Sequence, residues 1–468
     1  MGLGRRKRER QVEFWVAADA LPEAPRHAFY DTLNRLLESG RFDDFVEELS
    51  EPYYAGSVGR PSIPPGVYFR MLLVGYFEGI DSQRGIAWRC SDSLSLRRFL
   101  QVPLDASTPD HSSLTRVRDR LPLAVHEQVF AFVLSLAEQH KLLGKQGKTV
   151  AIDTTLLEAN AAMRSIVRKE SGEDWKAYLT RLMKEEGLIE EDDEPTDDEL
   201  RKFDKGRKQK TVSNREWESA SDSDSRIAKL KDGRTHLAYK ATHVVDLDSE
   251  FLLEVQVVAA DEADSSLLVS GVRAAEASLE AAGVETPEVH EVVADKGFHK
   301  NEVLADCAAE EVRTYIPEPQ RSGRRSWTDK PEEYEAAYRG NRRRAQGSRG
   351  RSLQRLRSER VERSFAHTCE TGGARRTWLR GREKINKRYR LVAAARNLGL
   401  MMLKLFGCGT PRSLCRARIS SFRALSAALG PLQPLLTIAS RTLRVHHDVL
   451  NRIRLFRNRT QITPALAS

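Results

Sequence analysis

Three acidic residues carry the chemistry that this sequence suggests: Asp153, Asp295 and Glu362. Asp153 closes a short β-branched and apolar run, 149–152, and is followed by Thr154 and Thr155. Asp295 closes a second run, 291–294, and is followed by Lys296, Gly297 and Phe298. Both runs read as buried strands that deliver a carboxylate to their C-terminal ends. In open α/β sheets that end is where ligands sit. Glu362 falls in a helical pattern with Val361 and Phe365 one turn apart, so this face can pack on a sheet. Three carboxylates at one sheet edge repel one another unless cations neutralise them. Hard, oxygen-preferring Mg²⁺ or Mn²⁺ meets that need. Two such ions about 4 Å apart activate an attacking oxygen and stabilise a leaving oxygen in phosphodiester displacement. Singly, each acid also has a plainer reading. The aspartates can be turn formers, and Glu362 can pair with Arg360 or Arg363. Glu359, three residues earlier, is the rival third acid.

The elements that must position these acids follow from the pattern around them. Residues 1–145 look mostly helical, with helices expected near 67–80, 82–90, 94–100 and 123–142. Ser93 can cap the third of these. Ser112 and Ser113 are cap candidates for a further helix that presents Arg116, Arg118 and Arg120. After the strand ending at Asp153, residues 160–232 hold few strand signals. Their stretch 185–199 has ten acids and no base, which reads as an insertion with helical pieces and a mobile acidic loop. Residues 236–245 and 251–258 form a β-hairpin pattern, and 264–282 reads as a helix stopped by Gly283. A strand to Ala294, a helix over 301–310 and a strand over 312–316 come next. An Arg-rich link, 321–355, separates them from helices starting near Leu356 and Arg382. The order is strand, hairpin, helix, strand, helix, strand, helix. This predicts an α/β fold: a ribonuclease-H-like mixed sheet over 146–406 with an insertion after its first strand, preceded by a mostly helical domain.

Charge placement points to a polyanion. The 468-residue chain carries 76 Lys and Arg against 67 Asp and Glu, a net of +9. Residues 321–390 alone hold 22 basic and 8 acidic residues, and the tail, 407–468, holds 10 arginines and one acid. The rest is acidic on balance, so a nucleic-acid partner for the C-terminal half is expected. The five scattered cysteines include no CxxC pair. This suits a reduced, cytoplasmic protein without a zinc site. No apolar run approaches the roughly 20 residues that span a membrane.

At these residues the chain resembles the DDE transposases of bacterial insertion sequences. The resemblance rests on Ala-Ile-Asp153-Thr-Thr, the hairpin from Ala238 to Asp246, Val-Ala-Asp295-Lys-Gly-Phe-His and Arg-Val-Glu362-Arg-Ser-Phe. The segments 378–386 and 394–398 fit the family pattern as well. In the amino-terminal part, 59–65 and 109–114 resemble the family's helical, DNA-binding or dimerisation domain. Related enzymes often carry a tyrosine and an arginine before the glutamate and a lysine after it. Those places hold Arg355, Ser358 and Cys369 here.

The resemblance implies a metal-dependent enzyme that cleaves double-stranded transposon ends and joins the freed 3′-hydroxyl to target DNA. It implies Asp153, Asp295 and Glu362 as catalytic acids and ligands of Mg²⁺ or Mn²⁺, with two ions expected. A homodimer or higher homo-oligomer on DNA is expected too. Arg380, Lys384 and Arg388, spaced four apart, are candidates for a basic stripe toward phosphates, and Lys296 for a contact beside Asp295. An inactive DNA-binding descendant, or a nuclease that cuts without joining, are the rival readings.

Overall fold

The computed structural model describes residues 27–55, 62–144, 148–190, 192–207, 213–320 and 326–413. The chain divides into two compact units, Met1–Gly409 and Thr410–Ser468. Residues 414–468 of the Arg-rich tail lie outside the described residues, as do Gly59, Arg60 and Pro61.

The amino-terminal region is helical: α1 (Ala28–Ser39), α2 (Phe42–Ser50), α3 (Pro65–Glu78), α4 (Gln83–Ser91), α5 (Leu94–Phe99), α6 (His111–Arg120) and α7 (Leu123–Gln139). Its core is aromatic, with Phe29, Tyr30, Phe42, Phe69, Phe99 and Phe130 all buried. Ser93 caps α5 by accepting from the Leu96 N–H at 3.3 Å. The cap of α6 is Asp110, not Ser112 or Ser113. Asp110 has the extended backbone a cap requires and accepts from the Ser113 N–H at 2.8 Å, whereas both serines are already helical. Arg70 is fully buried on α3. Asp43 matches it with two hydrogen bonds, at 3.0 and 2.6 Å, and the Phe99 carbonyl accepts a third. A buried guanidinium needs this density of acceptors.

The sheet begins with β1 (Lys148–Glu158). This strand does not end at Asp153 as the apolar run suggested; it continues to Glu158. The insertion contains β2 (Ile166–Arg168), α8 (Trp175–Glu185), α9 (Asp197–Gly206), β3 (Trp217–Ser219) and β4 (Arg226–Lys229). Helices α8 and α9 share a small core of Leu179, Met183 and Leu200, and β2 pairs with β3. Next come β5 (Thr235–Asp246) and β6 (Leu252–Ala259). The length of β5 explains the extra reach of β1, because the two pair antiparallel from Val150↔Asp246 to Glu158↔Ala238. Then follow α10 (Leu267–Ala281), β7 (Val289–Val293), α11 (Asn301–Ala309), β8 (Arg313–Tyr315), α12 (Glu332–Gln346), α13 (Ser348–Phe365) and α14 (Arg382–Phe406). The Arg-rich stretch read as a link is thus largely helix. Its inward positions are few and spread out, with Ala337, Tyr338 and Asn341 buried on α12 and Leu353 on α13. Arginines fill the turns between them and hide the period.

The sheet is mixed. Strand β5 pairs antiparallel with β1, β4 and β6, while β1, β7 and β8 are parallel. Helix α10 lies on the face that carries Ile152. A Cβ on Gly271 would come within 2.6 Å of Ile152 Cδ1, so glycine permits the close approach. Helix α13 covers the opposite face, α14 runs along β6, and α7 packs against α14 and α10.

Three asparagines satisfy the outer backbone groups of the two sheet edges. Asn386 and Asn397 on α14 each accept from an N–H of β6 and donate to the carbonyl of the same residue, Val257 and Leu252 respectively. Asn341 on α12 does the same for Ile316, just past β8. An uncovered strand edge is a template for misassembly, and these side chains occupy it. An 18-residue stretch within Arg382–Ser413 is apolar enough to cross a membrane, but 67% of it is buried in the fold, as for a core helix.

Candidate active site

The parallel pairing of β1 and β7 sets Ala151 beside Val293. Two residues further along each chain stand Asp153 and Asp295. On the β7 side of β1 the ladder stops at that pair, so the two acids are neighbours just beyond it, although β1 continues along β5. Asp295 opens a short 3₁₀ turn, Lys296–Phe298, and accepts from the Gly297 N–H at 2.7 Å. Asp153 Oδ1 accepts from the Thr154 N–H at 2.8 Å, and Oδ2 accepts from Arg357 Nη1 on α13 at 2.7 Å. Burial pushes the Asp153 carboxyl above its usual range. The Arg357 guanidinium opposes that shift, and the Asp295 charge adds to it.

The position of α13 over this pair depends on His243, the cross-strand partner of Asp153 on β5. Its imidazole is fully buried and stacks on Phe365, ring centroids 4.0 Å apart. Nδ1 and Nε2 lie 2.8 Å from Ser364 Oγ and Tyr389 Oη. Ser364 already donates its one hydroxyl proton to the Val361 carbonyl. Nδ1–H therefore donates to Ser364, and Nε2 accepts from Tyr389. Burial holds this histidine well below the usual imidazole range, in keeping with a neutral ring. The sequence offered no cue that this histidine joins β5 to α13 and α14. Gln354, also on α13, donates to the carbonyls of Ala294 and Tyr315 and so ties the ends of β7 and β8.

Glu362 is not drawn into the pair. Its side chain is exposed. Arg357, Val361 and Ser364 define the inner face of α13. At about 100° per residue Glu362 falls outside that face. It lies on the flank opposite Arg360 and Arg363, which both reach Glu250. Glu359 is ion-paired with Arg363. Thr154, on the other side of β1 from Asp153, donates to Asp264 Oδ1 at 3.0 Å, and Lys240 binds the same oxygen at 2.8 Å. Both residues face an open groove at the end of β1 that also takes in Thr155, Glu370 and Arg375. Neither Lys240 nor Asp264 stood out in the sequence.

The four basic candidates divide. Lys296 and Arg380 are exposed, and Arg380 Nε donates to the Asn160 carbonyl at 3.2 Å. Lys384 pairs with Asp119 of α6 at 3.2 Å and is 46% exposed. Arg388 does not extend the exposed stripe. It is half-buried over the Trp378 ring, 5.4 Å from its centroid, and donates to the Gly373 carbonyl. Burial lowers its pKa to about 10. The spacing on α14 is regular, but the turn that carries Arg388 packs against the helical region.

Among the described residues, no group of three or more His, Cys, Asp or Glu side chains is gathered tightly enough to hold a metal ion. The Asp153–Asp295 pair nonetheless fits a hard divalent cation in donor chemistry. Two carboxylates stand side by side just past the β1–β7 ladder, partly buried, and a cation, Arg357, already sits against one of them.

Residues 18–120 match the family model described as a transposase domain (DUF772), and residues 305–402 match that of a transposase DDE domain. No curated protein and no solved structure matches the chain. The second family segment includes Glu362, α13 and most of α14; the first includes α1 to α6.

Proposed function

We propose that this chain is a DDE transposase, a reading its two matched segments support, and that it binds the ends of an insertion sequence, cleaves them and joins the freed 3′-hydroxyl to target DNA. The observation that carries this reading is the adjacency of Asp153 and Asp295 just past the paired ends of parallel strands β1 and β7. The strand arrangement supports a ribonuclease-H-like catalytic sheet: antiparallel β6 and β5, then parallel β1, β7 and β8. Glu362 is the third acid in this reading. Glu359 is engaged by Arg363, whereas Glu362 lies on the free flank of α13.

Asp153 and Asp295 would hold Mg²⁺ or Mn²⁺, two ions in this reading, and Glu362 would complete the set when α13 meets DNA. Bound there, the metal supplies charge stabilisation to the phosphoryl oxygens and lowers the pKa of the attacking oxygen's proton. The protein's own residues orient this centre. Arg357 sets the Asp153 carboxylate, and the Gly297 N–H sets that of Asp295. His243 fixes α13 above both. Lys296, Arg380 and Lys384 lie on the surface as contacts for the backbone of double-stranded DNA, which such contacts position without reading its sequence. The protein acts in the cytoplasm as a homodimer or larger homo-oligomer on DNA.

A strand-transfer assay with pre-cut ends, run beside a cleavage assay on intact ends, tests the reading. Cleaved and joined products are expected. Cleavage alone would make the protein a nuclease, and binding alone a DNA-binding descendant without activity.

A further inference from the structure

Asp153 and Asp295 have a third carboxylate beside them, that of Asp264. Asp264 opens a 3₁₀ turn, Asp264–Ser266, which leads into α10 and packs against the turn Lys296–Phe298 that Asp295 opens. Its Oδ1 accepts from the Thr154 hydroxyl at 3.0 Å and from Lys240 Nζ at 2.8 Å. Lys240, with a side chain only 12% exposed, also donates to the Glu262 carbonyl, so its ammonium is fixed against this one loop. The other oxygen, Oδ2, lies on the side of Gly297. A Cβ added to Gly297 would stand 3.3 Å from Asp264 Oδ2 and 3.0 Å from Asp295 Oδ1. Those two oxygens are therefore at most about 6 Å apart, close enough to feel each other's charge. Glycine at this position leaves room for both.

The ladder between β1 and β7 stops at Ala151↔Val293, so it does not itself hold the two acids that follow. Asp264 spans that place. It binds the residue after Asp153 and borders the second residue after Asp295. A third negative charge at these strand ends would be costly alone, and the Lys240 ammonium offsets it. We infer that Asp264 is a positioning residue of the Asp153–Asp295 centre, held by Lys240, and that it fixes the spacing at which the two aspartates receive a divalent cation. The inference rests on the function proposed for that pair. Asp264 meets β1 on the face opposite Asp153, and its Oδ1 is filled by two donors. It therefore acts through Thr154 and the Gly297 turn. Residues that hold metal-binding side chains from behind change metal affinity or rate by about 10- to 100-fold when removed.

The test uses the full chain. Mn²⁺ is titrated by calorimetry without DNA, and the heat lost in Asp295→Asn marks binding at the pair. End cleavage is then followed against Mn²⁺ concentration, well below the unfolding temperature. Asp264→Ala is expected to weaken Mn²⁺ binding and to lower kcat, each by about 10- to 100-fold, with KM for DNA within about twofold of wild type. Asp264→Asn keeps an oxygen for the Thr154 hydroxyl and should regain most of both losses. Thr154→Val, isosteric and suited to a strand, breaks the link at its other end and should weaken Mn²⁺ about tenfold. It keeps the test decisive if Asp264→Ala fails to fold. A lower unfolding temperature with unchanged Mn²⁺ affinity and kcat, in folded Asp264→Ala or failing that in Thr154→Val, would make the Lys240–Asp264 pair purely structural. That result would overturn the inference and leave the catalytic pair standing. A wild type that neither binds Mn²⁺ at the pair nor cleaves would refute the reading of the pair itself, and the inference with it.

Discussion

Arg357 Nη1 lies 2.7 Å from Asp153 Oδ2, joining the inner face of α13 to the middle of β1. The contact places a positive charge where two neighbouring aspartates need one. Replacing Arg357 by Gln leaves Asp153 partly buried beside Asp295 with no cation. The variant is expected to lose about 1–3 kcal/mol of stability without divalent metal, the usual cost of stranding a hydrogen-bonded charge. Added Mn²⁺ should then recover more stability in the variant than in the wild type. Urea unfolding with and without Mn²⁺ measures both, and an unchanged midpoint in the variant would show that the contact carries no energy.

Glu359 and Glu362 separate cleanly by substitution. Glu359 is paired with Arg363 on the outer side of α13, so Glu359→Gln should leave end cleavage within about twofold of wild type, since an exposed pair contributes little. Glu362→Gln should reduce it by about a thousandfold, roughly 4 kcal/mol of transition-state stabilisation. Quantified cleavage of a labelled end by the two variants decides, and the reverse ranking would move the third acid to Glu359.

Asn386 and Asn397 each satisfy both backbone groups of one β6 residue. Alanine at either position strands a buried N–H and a buried carbonyl. The expected cost is about 2–4 kcal/mol for each substitution, with a greater tendency to associate through the opened edge. Chemical unfolding and light scattering report the two effects. A cost well under 1 kcal/mol would mean that water replaces the amide freely.

A pH dependence follows from His126. It is 2% exposed on α7, with Nε2 3.3 Å from the Tyr68 hydroxyl and Nδ1 3.1 Å from the Pro122 carbonyl. Burial lowers its pKa to about 4. The unfolded chain binds this proton near pH 6.5, so stability is fully present above that value and falls as pH drops from about 6.5 toward 4. The loss reaches about 3 kcal/mol from this group alone. His126→Gln should remove that part of the slope between pH 6.5 and 4; an unchanged slope would assign it to other groups.

Much of this was legible in the sequence because it rests on local pattern. The hairpin, the strand before Asp295 and α14 follow from period and stop signals, as does the place of Asp295 just past a strand. The parts that were not legible depend on partners far away in the chain. Asp153 looked like a strand end because its neighbours turn polar, yet β5 continues to pair with β1 beyond it. Helix α12 and the first turns of α13 were hidden because arginines outnumber their buried positions. Arg388 had the right spacing for a surface stripe, but only the packing of α14 against the helical region shows that its turn is covered. His243 carried no signal, since its role exists only once Ser364 and Tyr389 reach it.

The central claim is that Asp153 and Asp295 form one metal-dependent catalytic centre. End cleavage with Mg²⁺ by Asp153→Asn, Asp295→Asn and the double variant tests it most directly, with folding checked by circular dichroism. Each single variant should lose about a thousandfold or more in rate, and the double should lose little beyond either single, as residues acting as one unit do. Near-wild-type cleavage by either folded single variant would contradict the account.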